Sequence, residues 1–149
     1  LPTQIQLYGR GIPKPGDPTG RAVQASTQST VSNTTTSYVD TNLTASITPE
    51  SAANLVLTCW SGDTQIDTAS IGAKTTLRRG GTVVGLPREL FSDAANIIST
   101  VGLTWLDSPG SAGSITYTVA TKLDTGGGPT VYFPNAAAGG ALQLIEIMG

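Results

Sequence analysis

A chain of 149 residues has the length of one domain and can bury a single core. Its net charge of −2, with only 12% charged residues against a usual figure of roughly 25%, supplies no basic field for nucleic acid and no polybasic membrane anchor. The absence of histidine and the single cysteine exclude a Ser-His-Asp triad, a Cys-His pair, a His-ligated metal site and an intrachain disulfide, so folding in a reducing cytoplasm is expected.

The N-terminal stretch LPTQIQLYGRGIPKPGDPTG opens with Ile5 and Leu7 alternating with polar neighbours, then turns into a Pro/Gly leash. Pro13, Pro15 and Pro18 each remove a backbone donor, and Gly9, Gly11, Gly16 and Gly20 loosen the chain between them, so neither helix nor strand is expected. No basic-then-apolar signal segment and no apolar run near the ~20 residues of a membrane span is present, and neither role is expected. The Thr-rich run Ser26 to Ser37 reads as strand plus turn, because Val23, Ala25 and Val31 keep the alternation.

Beyond it the period is two. Val39, Leu43, Ala45 and Ile47 alternate with Asp40, Asn42, Thr44 and Ser46, a half-buried strand stopped by Pro49. NLVLTCW follows, with Leu55, Leu57 and Cys59 on one side and Val56, Thr58 and Trp60 on the other, apolar enough on both for a central strand. DTQIDTASIG and KTTLRRGGTVVG come next, the latter with Gly80-Gly81 as a tight hairpin turn. PRELFSDAANIIS carries Leu90, Ala94 and Ile97 at helical spacing behind Pro87; it reads as a helix, or else as a long loop crossing the end of a sandwich. VGLTWLD is a strand with Val101, Leu103 and Trp105 on one face, and Ser108 to Gly113 is a loop. SITYTVATKL alternates cleanly, DTGGGP turns the chain into TVYFP, and ALQLIEIMG closes it as a strand. Roughly eight short strands separated by Gly/Pro/Ser turns predict an all-β protein, a β-sandwich or a closed barrel.

The residues carry little that reads as chemistry. Asp63 and Asp67 on one strand would lie about 13 Å apart at about 3.3 Å per residue, beyond the about 5 to 9.5 Å of a glycosidase pair. No calcium loop or phosphate-binding Gly loop is complete. Arg78-Arg79 sends two guanidinium groups to opposite faces, so it makes no coherent basic patch. Trp60, Trp105, Tyr117, Tyr132 and Phe133 are expected to pack in the core, and Cys59 to be a buried small hydrophobe rather than a nucleophile. The sequons at Asn33 and Asn42 read as chance matches in a Thr-rich chain. Glu146 shares the face of Leu142, Leu144 and Met148, which leaves two readings: a face open near its end, or a carboxylate paired across an interface.

The run TTTSYVDTNLTASITPESAANLVLTCWSG and the closing SITYTVATKLDTGGGPTVYFPNAAAGGALQLIEIMG resemble a pattern of tailed-phage virion proteins, in which a strand of the "yvDTnLtasITP" kind leads to a Leu/Val-rich strand and the chain ends in an "LIEI" strand. The resemblance covers most of residues 23–149 and brings no catalytic signature. It implies a trimeric β-sandwich, often of jelly-roll type, as in capsid decoration proteins, head fibres and tail-fibre tips. The expectation is therefore a single antiparallel, jelly-roll-like β-sandwich over residues 23–149 with an extended N-terminal arm over residues 1–22. The expected function is non-enzymatic: a capsid decoration or cement protein, made in the host cytoplasm, that binds the outer surface of the virion head as a homotrimer and stabilises the shell. Its partners would be the major capsid protein or other virion subunits and its own copies, without cofactor, metal, nucleic acid or membrane. The alternative is a receptor-binding tip recognising a host surface glycan. In either case the arm is the expected gripping element, through Ile5, Leu7, Tyr8, Arg10, Ile12 and Lys14, because extended backbone pairs with a foreign strand edge and its prolines lower the ordering cost.

Overall fold

The computed structural model describes residue 16, residues 18–136 and residues 138–149 of the chain. Eleven strands and no helix make up these residues: β1 (Pro18–Thr27), β2 (Val31–Asn33), β3 (Val39–Ile47), β4 (Leu55–Ile66), β5 (Ile71–Arg79), β6 (Thr82–Val83), β7 (Arg88–Ser92), β8 (Ile97–Asp107), β9 (Ile115–Leu123), β10 (Val131–Phe133) and β11 (Gly140–Ile147). They form two antiparallel sheets. Sheet A runs β1-β11-β4-β8, with the short β10 and β2 continuing from the end of β4; sheet B runs β3-β9-β5, with β6 and β7 both on the far side of β5.

With the short β2, β6 and β10 set aside, successive strands alternate between the sheets except at one step, from β5 to β7 within sheet B. The order β1-β11-β4-β8 over β3-β9-β5-β7 is that of an eight-stranded jelly roll. Its first and last strands lie side by side, β1 against β11, which is why the pattern of local turns alone does not reveal the pairing.

Alternation along each strand builds the core. Val56, Trp60 and Ile66 of β4 face inward, as do Leu142 and Leu144 of β11 and Leu43, Ala45 and Ile47 of β3. All of these but Ile66 join Leu77, Tyr117 and Val119 in one cluster, while Ile66, Ala73, Leu123 and Val131 close a smaller one at the other end. Gly62 keeps β4 bare where Phe133 crosses it: a Cβ there would lie 2.6 Å from the ring, which instead packs edge-on to Trp60 at 6.1 Å.

Several expectations change. Arg88 to Ser92 is a strand, not a helix, pairing Ala73 with Leu90 and Ile71 with Ser92 on β5; the helical spacing of Leu90, Ala94 and Ile97 is incidental. Residues 93–96 then carry the chain from sheet B into sheet A, with Asn96 at φ 60°. The NLVLTCW strand runs on through Ser61-Gly62 and the following DTQI to Ile66 without a break. Gly80-Gly81 does make the two-residue turn between β5 and β6, both at positive φ as such a turn requires. β1 begins at Pro18, so residues 18–22 of the segment expected to be an arm belong to the sheet.

Candidate functional surface

The residues expected to grip a partner, Ile5, Leu7, Tyr8, Arg10, Ile12 and Lys14, lie outside the described residues. Where the description starts, the backbone N–H of Gly16 donates to the carbonyl of Met148 at 2.6 Å, so the chain enters the sandwich beside its last strand.

That corner is tied by Glu146. The carboxylate is fully buried and faces inward from β11, yet it is neither open to solvent nor unpaired. Oε1 accepts from the Glu50 N–H and from Asn54 Nδ2, each at 2.6 Å; Oε2 accepts from Thr19 Oγ1 at 2.8 Å, with Arg21 Nε 3.6 Å away. Burial pushes its pKa up, but the hydrogen bonds from Asn54, Glu50 and Thr19 and the charge of Arg21 together outweigh it and hold the group below the ordinary carboxylate range. Both sequence readings of Glu146 are thereby replaced: it is satisfied within the chain, by donors from β1 and from the loop after β3.

In the same row of sheet A, across Val56, Asp107 also points inward. The buried Tyr117 hydroxyl and Arg79 Nη1 both reach its Oδ2 at 2.7 Å. Burial and this carboxylate raise the Tyr117 pKa well above its ordinary value. Here the two sheets are bolted together by a phenol and a guanidinium.

The outer faces of the sheets differ in kind. On sheet B, hydroxyls and charges pair across the strands: Thr44 with Thr118, Ser46 with Thr116, Arg78 with Asp40 at 2.6 Å and Lys74 with Asp124 at 2.7 Å. On sheet A the register places Ala22, Ile145, Leu57 and Leu106 in one row, with Ile147 and Leu55 beside it. The next rows are Gln24, Gln143, Cys59 and Thr104, then Ser26, Ala141, Ser61 and Gly102. Asp63, paired with Thr100, is the one charged side chain in these rows. Cys59 is thus half-buried on an outer face rather than in the core, its sulfur accepting from Thr104 Oγ1 at 3.6 Å. Sequence could not rank the two sides of β4, since both are apolar. Trp105 faces inward as expected but stays half-buried, because β8 is the sheet's edge strand.

Small residues at the polar end of this face leave an open depression of about 680 Å³, lined among others by Ser26, Gln28, Ser61, Asp63, Thr100 and Gly139. Thr100 donates to Asp63 at 2.5 Å, whereas Asp67 accepts from Thr68 and from the Thr130 N–H, both at 2.8 Å. Asn33 is buried, and its amide donates to the carbonyls of Ser37 and Thr121, so that sequon is spent on folding a loop. Among the described residues no three His, Cys, Asp or Glu side chains converge as metal ligands, and no helix is long and apolar enough to cross a membrane. No family model matches the chain, and no curated protein matches it significantly.

Proposed function

We propose that the chain is a non-enzymatic structural protein of a tailed-phage virion, a capsid decoration or cement protein that binds the outer head surface as a homotrimer and stabilises the shell. The observation that carries this reading is the jelly-roll strand order, an architecture shared by viral capsid and lectin domains, in a chain where, among the described residues, the buried Glu146, Asp107 and Tyr117 are engaged in holding the fold. The resemblance of residues 23–149 to virion proteins supplies the setting. In this reading residues 1–15, with Ile5, Leu7, Tyr8, Arg10, Ile12 and Lys14, lie along neighbouring capsid subunits, and three arms bind with the avidity of one assembly. A receptor-binding tip is the second reading. The depression beside Asp63 favours it, because its hydroxyls and carboxylate suit sugar hydroxyls, although it contains no aromatic ring for a sugar to stack on.

Co-sedimentation with undecorated heads tests the first reading. The full chain is expected to bind to a fixed copy number and to raise the temperature at which the heads rupture, and removal of residues 1–15 to abolish binding. Failure of the full chain to bind heads, with binding to host cells instead, overturns it in favour of the second.

A further inference from the structure

We infer that the outer edge of β8 pairs antiparallel with the same edge of a second copy of this chain, about a two-fold axis at Gly102.

β8 is an edge of the kind that folds normally guard. Among the described residues it pairs only with β4, rung by rung from Ile97 to Asp107, so the backbone groups on its other side have no strand partner. Exposed edges are usually blunted by shortness, charge, proline or a bulge. The other edges here carry such guards. β2, β6 and β7 are three, two and five residues long, and β7 holds Arg88 and Glu89. β1 has Pro18, Arg21 and a register shift before Ala22, and β3 has Asp40 and a shift before Thr44. β8 has eleven residues without proline or bulge, and its one charge is Asp107 at the end, already held by Tyr117 and Arg79.

The strand's own sequence says what fits it. Its outer face carries Ile98, Thr100, Gly102, Thr104 and Leu106, a series that reads alike in both directions: aliphatic, threonine, glycine, threonine, aliphatic. A two-fold axis at Gly102 sets Ile98 opposite Leu106 of the second copy and Thr100 opposite its Thr104. Ile98 and Leu106 are 50% and 51% exposed, and this pairing lays each against the other. Aliphatic and Thr–Thr pairs directly opposite one another are among those that stabilise a sheet. On the inner face Val101 comes opposite Leu103, and both are residues that pack only partly buried against the core. Gly102 is kept bare by β4, since a Cβ there would lie 2.6 Å from the Trp60 carbonyl oxygen, so no side chain stands on the axis. Pairing a strand with its own copy sets like beside like, which a charged strand resists; from Ile97 to Leu106 there is no charge to repel.

Such a contact is isologous and closes on itself. It joins two single chains, or one trimer of the reading above to a second trimer, and so does not rest on that reading.

The test is sedimentation of the purified full chain beside two variants at the exposed ends of the pairing. Ile98→Lys with Leu106→Lys sets lysine against lysine across the axis, whereas Ile98→Lys with Leu106→Glu sets lysine against glutamate. The native chain and the lysine–glutamate variant are expected to have twice the mass of the double-lysine variant, whether that lighter unit is one chain or three. Circular dichroism checks that each variant is folded. Register is read separately, in a Cys59→Ser background. Ile98→Cys and Leu106→Cys chains, mixed and mildly oxidised, are expected to form a disulfide-linked pair. Either one alone is not, because like positions lie about 26 Å apart at about 3.3 Å per residue. A native chain or a lysine–glutamate variant no heavier than the double-lysine variant overturns the inference. So does a mixture that forms no disulfide, and the edge is then left to residues 1–15 or to another protein. Cross-linking of either cysteine variant alone overturns it as well, through the register. A native pair of single chains would end the trimer reading and leave this one standing.

Discussion

Glu146 and Asp107 face inward from one row of sheet A, separated only by Val56, and the fold closes the two corners by opposite means. Glu146 is surrounded by an amide N–H, a carboxamide and a hydroxyl, with a cation just beyond hydrogen-bond reach; its charge is spread over donors from one loop and a strand. Asp107 instead gathers a phenol and a guanidinium on a single oxygen, and both come from sheet B. The first corner ties the beginning of the chain to its end. The second ties one sheet to the other. What the contrast teaches is that a buried carboxylate is tolerated where its donors are already fixed in place, and that it then becomes a joint whose strength depends on which donors those are.

The comparison breaks most visibly at Glu146. Glu146→Leu leaves the Glu50 N–H, the Asn54 amide and the Thr19 hydroxyl facing an apolar side chain, and is expected to lower stability by about 3 kcal/mol in urea unfolding. Tyr117→Phe removes one donor from Asp107 while Arg79 keeps its charge paired, so about 1.5 kcal/mol is expected from the same measurement. Arg79→Met should cost less, about 1 kcal/mol, because the guanidinium is 30% exposed and water screens the pair. A loss at Tyr117 or Arg79 as large as that at Glu146 would show that the two corners do not differ as described.

The smallest effects are the most discriminating, because they separate the corners by pH. Glu146 titrates below the ordinary carboxylate range in the folded chain, so its contribution is present above that range and is lost as acid takes the pH down through the folded value. Tyr117 is shifted the other way. Its contribution is complete below about pH 10, the ordinary phenol value, and declines above it as the unfolded chain alone ionises. Urea midpoints measured across pH are therefore expected to fall less steeply in acid for Glu146→Gln than for the native chain, and less steeply in alkali for Tyr117→Phe. Equal acid slopes in the native chain and Glu146→Gln would sink the assignment at that corner.

Most of the strands are legible in the sequence because their period is two and one side is polar, as in Leu43, Ala45 and Ile47 against Asn42, Thr44 and Ser46. Legibility fails where that contrast disappears. Both sides of β4 are apolar, so the residues could not tell the core side, with Trp60, from the outer side, with Cys59. Nothing local in the sequence marks Gly62 as the space over which Phe133 packs. Leu90 reads as helical because residues at spacings of three and four are apolar by coincidence, whereas its real partner is Ala73 on β5. The inward position of Glu146 follows from alternation. Its donors do not, since Glu50 and Asn54 lie in a loop and Thr19 at the far end of the chain. The pairing of first strand with last is likewise a property of the closed roll, and no local pattern encodes it.

The link from Gly16 to Met148 has a mechanical consequence. β1 leaves that point and runs antiparallel along β11 to Thr27, with its ladder bonds perpendicular to the strand. Tension applied in line with β1 would load those bonds in shear, side by side, and not one after another as in unzipping. The Glu146 corner stands at the point of entry and must yield first. A tether anchored this way fails only when much of a strand slides at once, so the load it bears is set by the sandwich and not by the thread.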